Sequence, residues 1–257
     1  FLNLQIPEYT FMCTVTYYAT PHGIILTHNR DEAPSRSPQA ITRKKNEWRT
    51  LLYPQDTKAG GTWIISDNKG QTACLLNGAF IKHAHNPPYQ RSRGLLLLDA
   101  WEQEHPTDFL AQYDCTGIEP FTLLLFSSQI IQEIRWDGVQ RYFKTLSVDQ
   151  PHFWCSSTLY PTAMQERREQ VFRNWLQQTT QRKDAKALLD LHYNGSVGDP
   201  ENDFVMNRGN RVRTVSITQV VKQTHKIQMH YFDLLNEGKD VRKITLRPEI
   251  QAPGTLM

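Results

Sequence analysis

The sequence predicts an α+β fold in which two antiparallel sheets are covered by helices. Along the 257 residues, strand-like and helix-like segments occur in blocks, in the order strands, helices, strands, helices, strands. A parallel sheet is built instead from strands and helices that alternate one by one. Hairpin turn signals such as Asp137-Gly138 join neighbouring strand-like segments, which favours antiparallel pairing.

The first block of strands contains two β-hairpins. In each hairpin, two runs rich in β-branched, aromatic and aliphatic residues flank a turn that contains glycine. The polar, proline-punctuated residues 33–58 between the hairpins predict a long loop with short strands near 48–53, and long loops in compact domains are often functional. The predicted hairpins pair 14–18 with 23–28 and 62–66 with 71–77.

The rest of the chain contains two helical blocks and two further blocks of strands, followed by a polar tail. Apolar residues recur at helical spacing in the helical segments, and the strand segments are rich in β-branched and aromatic residues. The predicted helices are 92–104, 107–113, 162–178 and 184–192, and the predicted strands are 121–126, 130–136, 140–146, 212–222 and 226–232. Because no repeat or linker divides the chain, residues 12–257 are expected to form one domain, and residues 1–11 a leader, a fragment or residues added for expression.

Composition excludes several classes of function. A hydrophobic content of 39% is enough for a buried core, and 29 basic residues scattered among 26 acidic ones leave no basic stripe for nucleic acid. No apolar run approaches the roughly 20 residues of a membrane span. The four cysteines form no CxxC pair, so we expect no metal site and reduced thiols in a cytoplasmic protein. The sequence indicates no cofactor and no oligomeric state.

Cys13 is the strongest candidate for a catalytic residue. It follows Met12, and removal of a methionine before a small residue would leave a free α-amine on the residue that carries the thiol. An α-amine has a pKa of about 7.7 to 8.0, so it can accept the thiol proton near neutrality. If the residues before Cys13 stay attached, its nitrogen is a peptide amide and cannot act as a base. A buried cysteine at the start of a strand is the structural alternative.

The first hairpin is expected to bring Arg30 beside Cys13. A guanidinium near a thiol favours the thiolate and depresses the thiol pKa, and Asp31 could orient the amine or hold the arginine. Adjacent side chains on a strand point to opposite faces. Either the strand has therefore ended by Arg30, or Asp31 points away from Cys13.

Several motifs together resemble the NRDE family, which includes the transport and Golgi organisation protein 2 homologues and is named for a tetrapeptide. That tetrapeptide is Asn29-Arg30-Asp31-Glu32, which follows the Met12-Cys13 pair. Further matches are Gly60-Gly61-Thr62-Trp63, Leu75-Leu76-Asn77 and Arg213-Thr214. The resemblance covers roughly residues 12–235. It implies an αββα sandwich like that of N-terminal nucleophile hydrolases, close to the choloylglycine hydrolase and penicillin acylase branch.

The resemblance also implies roles for individual residues in an amidase reaction on a small molecule. Cys13 would be the nucleophile, with Arg30 and Asp31 as polar neighbours and Asn77 as an oxyanion donor. Ser157 stands where the branch commonly has an asparagine, and it would donate a hydrogen bond. The remaining implied site residues are Arg213 at the pocket floor and Asn29, Glu32 and Trp63 as ligand contacts.

A second hypothesis is a non-catalytic protein that binds or traffics haem or another small hydrophobic ligand. The resemblance to haem-handling and lipid-homeostasis proteins suggests it. Haem would require an axial cysteine or histidine. By residue type, the candidates are Cys13, His28, His83 and His85.

Overall fold

The computed structural model describes residues 12–36, 40–84, 86–158, 160–178 and 182–247, which fold into four layers. Two antiparallel sheets face each other, and a pair of helices covers the outer face of each sheet. The predicted α+β class and the αββα sandwich are confirmed.

The first sheet contains the N-terminal hairpin, and the second contains the strands from the middle of the chain. In chain order the strands are β1 (Met12–Thr20), β2 (Gly23–Glu32), β3 (Ile41–Lys45), β4 (Thr50–Pro54), β5 (Ile64–Asp67), β6 (Thr72–Asn77), β7 (Phe121–Phe126), β8 (Ile131–Trp136), β9 (Arg141–Leu146), β10 (His152–Cys155), β11 (Asn207–Arg208), β12 (Val212–Gln223), β13 (Lys226–Asp233) and β14 (Gly238–Thr245). The first sheet has the order β10-β1-β2-β12-β13-β14, with β11 beside β12, and the second runs from β3 to β9 in sequence order.

Four α-helices form the outer layers of the described chain. They are α1 (Arg93–Trp101), α2 (Pro106–Gln112), α3 (Thr162–Gln177) and α4 (Ala185–Asn194). Helices α1 and α2 pack on the second sheet, and α3 and α4 pack on the first. Ser92 and Asp184 cap α1 and α4 by accepting hydrogen bonds from backbone N–H groups in the first turn.

The main core lies between the sheets. Because successive side chains of a strand point to opposite faces, every second residue of a strand enters this core. On β1, Cys13, Val15 and Tyr17 point inward and are buried against the second sheet. Thr14 and Thr16 alternate with them and face the helices on the other side. Cys13 is therefore at one end of the inward row of β1.

The structure departs from the predicted local structure in three places. Residues 41–45 form β3 within the expected long loop, where they pair with β4 at the short strands expected near 48–53, and residues 238–245 form β14 where a polar tail was expected. Strand β10 was not predicted. β3 and β14 are edge strands whose exposed side chains are polar. Because backbone pairing holds them in their sheets, their sequences lack the hydrophobic alternation by which a strand is predicted.

Two further expectations concern thiols and membranes. All four cysteines lie within the described residues and are free thiols. Among the described residues, none of the helices combines the length and the apolarity that crossing a bilayer requires.

Candidate active site

A cavity of about 400 Å³ lies at the end of the inter-sheet layer where β1 begins and β2 ends. Its walls come from both sheets and from the start of α1. Of the predicted site residues, the cavity is bordered by Cys13, Arg30, Asp31, Glu32, Trp63 and Asn77. The fold thus brings together residues from three separate segments of the sequence.

Cys13 is held from both sides by backbone pairing. Opposite it on β2 lies Arg30, as the hairpin predicted. On its other side, the Cys13 N–H donates to Ser156 Oγ at 3.0 Å, and the Ser156 N–H donates to the Cys13 carbonyl at 3.0 Å. Cys13 is 6% exposed. The nitrogen and the thiol of this residue therefore occupy fixed positions at the cavity wall.

The surroundings of Cys13 do not depress the pKa of its thiol. Burial raises the pKa of the Cys13 thiol well above its usual range, and the nearby Asp31 charge raises it further. The guanidinium of Arg30 lowers this pKa, as expected, but by less than burial raises it. The prediction of a depressed thiol pKa is therefore wrong here, where the Cys13 nitrogen is a peptide amide.

Arg30 belongs to a buried ion cluster that we define as Arg30, Glu32, Arg36 and Asp56. Arg30 Nη2 is 3.1 Å from Glu32 Oε2 and 2.5 Å from Asp56 Oδ2. Arg36 contacts the same two oxygens at 3.0 and 2.8 Å. The Arg30 guanidinium also stacks on the Trp63 ring, 3.9 Å from its centroid. Each carboxylate is thus shared by two arginines, so the cluster is locally neutral.

The two carboxylates of the cluster differ in their pKa. Burial raises the pKa of Glu32, even though Arg30 and Arg36 act in the opposite direction. Burial also acts to raise the pKa of Asp56, but the backbone N–H of Ala59 and the arginines outweigh it, so the pKa of Asp56 is lowered. Asp56 therefore remains ionised and anchors both guanidinium groups.

The Asp31 carboxylate points away from Arg30, because β2 continues to Glu32. It accepts a hydrogen bond from Thr214 Oγ1 at 2.5 Å on the outer face of the sheet. Its main-chain N–H interacts with the Cys13 thiol. Burial raises the pKa of Asp31 to about 7, although Arg168 and Thr214 act to lower it. Of the two alternatives left open by the sequence, the structure has the second.

Asn29 also faces outward, so its prediction as a ligand contact is corrected. Its Nδ2 donates to the carbonyls of His192 and Phe204 at 3.0 and 2.8 Å, and its Oδ1 lies 2.6 Å from His192 Nδ1. The amide is fully occupied by these contacts to α4 and the following loop. Asn29 is a packing residue and does not border the cavity.

Of three other predicted site residues, one borders the cavity and two do not. Asn77 ends β6 and borders the cavity. Ser157 does not border it; its buried Oγ has no hydrogen-bond partner among the described residues and lies close to Gly78. Arg213 lies opposite Glu32 in the sheet register but is also outside the described cavity wall. Ser156, and not Ser157, contacts Cys13.

The start of α1 forms a wall of the cavity that was not predicted from the sequence. Arg93 begins α1 and donates to Glu119 Oε2 at 2.8 Å and to the Pro120 carbonyl at 3.0 Å. Burial lowers the pKa of Arg93, although Glu119 and Cys13 act to raise it. The helix can approach this closely because Gly61 has no side chain. A Cβ on Gly61 would lie 2.6 Å from the backbone of Gly94. In the segment Gly60-Gly61-Thr62-Trp63, the second glycine is the one sequence feature that indicates this contact.

The three candidate haem ligands that the structure describes do not converge on one site. Of the three that the structure describes, Cys13 borders the cavity, but His28 is fully buried between the sheets, where burial lowers its pKa to about 3. His83 Nε2 is occupied by Glu119 Oε1 at 3.1 Å. His85 lies outside the described residues. Within the described chain, no group of three His, Cys, Asp or Glu side chains could hold a metal ion.

A four-layer αββα sandwich with a cysteine at the inward start of the first strand defines the class: the fold is that of the N-terminal nucleophile hydrolases. A solved structure of this class, the Caenorhabditis elegans N-acylethanolamine-hydrolyzing acid amidase ortholog, matches with a TM-score of 0.54 at 14% identity, over 81% of this chain and 92% of that one. A conjugated bile acid hydrolase from Clostridium perfringens matches with a TM-score of 0.48 at 10% identity, over 91% and 97% of the two chains.

The family follows from the sequence itself. Residues 12–232 match the model of the Transport and Golgi organisation 2 family. Because this match covers most of the chain, the protein belongs to that family, as its motifs indicated. A search of the curated proteins found no match.

Proposed function

We propose that this protein is a cysteine N-terminal nucleophile amidohydrolase that cleaves an amide bond of a small molecule through a thioester on Cys13. The observation that carries the proposal is the position of Cys13, whose thiol borders the cavity while its nitrogen lies 3.0 Å from Ser156 Oγ. The proposal requires that the peptide bond before Cys13 is broken, so that this nitrogen becomes an amine.

In the proposed reaction, nucleophile and base reside in one residue. The free amine takes the proton from the Cys13 thiol, and the thiolate attacks the amide carbonyl to form a tetrahedral intermediate. The ammonium then returns the proton to the leaving nitrogen as the C–N bond breaks, leaving a thioester and a free amine product. Water, deprotonated by the same amine, hydrolyses the thioester to a carboxylic acid.

Other groups would position and stabilise the reacting atoms. Ser156 Oγ would hold the amine, and Arg30 would favour the thiolate once the site is open to water and substrate. Asn77 would donate to the oxyanion, and one such donor is worth about 3 kcal/mol of transition-state stabilisation. Ser157 is the proposed second donor, and Arg213 would support the floor beside Glu32.

The cavity wall favours a polar substrate. Four arginines and four acidic residues border the described cavity. Its volume of about 400 Å³ lies within the range of small-molecule sites. Trp63 and Leu75 are the large aromatic and aliphatic side chains among the predicted site strands that border it. We therefore favour amides with charged or hydrogen-bonding groups on both sides of the scissile bond.

The test is a screen of amide hydrolysis with protein whose first residue is Cys13. The Cys13→Ala variant is expected to lose at least about a thousandfold of the rate, because the nucleophile and its thioester are removed. Cys115→Ala is the matched control, since Cys115 lies in the core beneath α1 and α2. Turnover that is unchanged in Cys13→Ala would contradict the proposal.

A second candidate function is binding or trafficking of a small hydrophobic ligand without catalysis. The raised pKa of the Cys13 thiol favours it. A haem titration is expected to give no Soret shift, because the described ligand candidates do not converge. A Soret shift that is lost in Cys13→Ala would support the haem version. A cytoplasmic location stays a prediction under both functions.

A further inference from the structure

A second cavity lies at the opposite end of the inter-sheet layer. Its volume is about 740 Å³, and it is bordered by the turns that join β1 to β2, β5 to β6, β7 to β8 and β12 to β13. Ala19 borders this cavity, and Cys13 borders the first one. Both point inward from β1, six residues apart, which corresponds to about 20 Å along the strand. The fully buried Val15 and the nearly buried Tyr17 separate the two cavities.

The floor of the second cavity is apolar and belongs to the main core. Ala19, Ile24, Val148 and Leu246 pack on the inter-sheet core but are only partly buried, and all four border the cavity. Tyr17 closes the floor, with its hydroxyl donating to the Val148 carbonyl at 2.8 Å. The core therefore exposes a concave apolar surface here, and ligand cavities are typically lined in this way.

The rim of the same cavity is basic. Lys222 Nζ donates to the Gly70 carbonyl at 2.9 Å and is thereby held at the mouth. Asp149 is the acidic residue of the described wall. The basic side chains of the wall are His22, Lys69, Lys222, His225 and Arg247. Lys69, Lys222 and Arg247 carry positive charge, against the single negative charge of Asp149, so the rim attracts anions.

We infer that the second cavity binds a small organic anion, whose apolar body lies on the floor and whose carboxylate or sulfonate group faces Lys69, Lys222 and Arg247. The inference rests on the apolar floor and the basic rim and does not depend on the proposed reaction. It goes beyond that reaction, because this site lies at the other end of the strands from Cys13.

The test compares two fluorescent probes of similar shape in the full chain. The probe 8-anilinonaphthalene-1-sulfonate carries one negative charge, and N-phenyl-1-naphthylamine has the same ring system without it. In the double variant Lys69→Glu and Arg247→Glu, the affinity for the sulfonate is expected to fall about tenfold or more through charge repulsion. The affinity for the uncharged probe is expected to change by less than about twofold, because the floor is intact.

Matched controls separate this cavity from general charge effects and from the first site. The double variant Arg167→Glu and Lys186→Glu makes the same change in net charge at exposed positions on α3 and α4. Its affinity for the sulfonate is expected to equal that of the unchanged protein. The same affinity is expected for Cys13→Ala, whose change lies in the first cavity. Ala19→Trp fills the floor and is expected to weaken both probes. Equal sulfonate affinity in the unchanged protein and Lys69→Glu/Arg247→Glu, or an equal loss in the Arg167→Glu/Lys186→Glu control, would overturn the inference.

Discussion

At the scale of single residues, the NRDE tetrapeptide divides its four side chains between the two faces of β2. Arg30 and Glu32 point to the inter-sheet layer and join the buried ion cluster, whereas Asn29 and Asp31 point to the helix layer. Strand period explains this division. The side chains of Arg30 and Glu32 therefore border the cavity. Those of Asn29 and Asp31 hold the helix layer and its loops on the other face of the sheet.

Arg30 is expected to be essential to the stability of the ion cluster. In Arg30→Met, the nearly buried Glu32 and Asp56 lose one of their two cationic partners. Removing one partner of a buried ion pair typically costs about 3 to 5 kcal/mol of unfolding free energy, because a charge is left uncompensated. Urea denaturation measures the change. Arg173→Met removes an exposed pair with Glu169 and should have little effect, so equal losses in both variants would contradict the assignment.

Asp31 is expected to make stability depend on pH in a direction unusual for an acid. Its pKa is about 7 in the folded chain, against about 3.9 when unfolded. Between these values the folded state binds a proton that the unfolded state does not. The contribution of Asp31 to the unfolding free energy is therefore present below pH 4 and is lost as the pH rises towards 7.

The Asp31→Asn variant isolates this effect from other titrating groups such as His28. Its unfolding free energy relative to the unchanged protein is expected to rise between pH 4.5 and 7, by at most about 1.4 kcal/mol per pH unit. Urea denaturation at several pH values measures this difference. Asp190→Asn, at an exposed position of α4, serves as the control. A difference that does not change with pH would show that Asp31 is not protonated in the folded state.

At the scale of elements, a buried polar network fixes α4 to the first sheet. The amide of Asn29 donates to two carbonyls, so its Oδ1 must accept from His192 Nδ1. His192 Nε2 then accepts from Thr16 Oγ1 at 2.7 Å. Burial lowers the pKa of His192 well below its usual range, which keeps the ring neutral and suits this arrangement.

Asn29→Ala tests this network. It removes the acceptor of the His192 Nδ1–H and one donor from each of two backbone carbonyls in a buried layer. Each unsatisfied group costs about 1 to 3 kcal/mol, so we expect a loss of at least about 2 kcal/mol in unfolding free energy. Thermal or urea unfolding measures it. Asn174→Ala on the exposed face of α3 is the control, and a similar small change in both variants would argue against the network.

At the scale of the whole molecule, much of the fold could be predicted from the sequence. The hairpin of β1 and β2, the meander of β7 to β9 and the four helices each follow a clear hydrophobic period or turn signal. Strands β3 and β14 could not be predicted in this way, because backbone pairing at polar positions leaves no period to read. The αββα arrangement itself came from the family motifs.

The site could be predicted only where local sequence determines it. Cys13 and Arg30 meet because they lie on one hairpin, whose register follows from its short turn. Asp56 and Arg93 reach the same cavity from segments far from the hairpin in sequence. Ser156, which follows β10, reaches the Cys13 backbone through the pairing of β10 with β1. No short-range pattern encodes those contacts. The outward direction of Asn29 and Asp31 required knowing that β2 extends to Glu32.

The proposed activity depends on the chemical state of the Cys13 nitrogen. With a peptide amide at Cys13, burial and the Asp31 charge keep the thiol protonated, and no base is present on the nucleophile. With a free amine, Ser156 Oγ and Arg30 are already in place beside it. The proposed activity therefore requires a chain that begins at Cys13.

The most direct test is the intact mass of the protein purified under reducing conditions from cells that express it with its natural upstream sequence. Peptide mapping of the same sample identifies the first residue. We expect a chain whose first residue is Cys13, with an unmodified amine. A chain in which residues before Cys13 remain attached would contradict the proposed mechanism for that form and would leave ligand binding as the function to pursue.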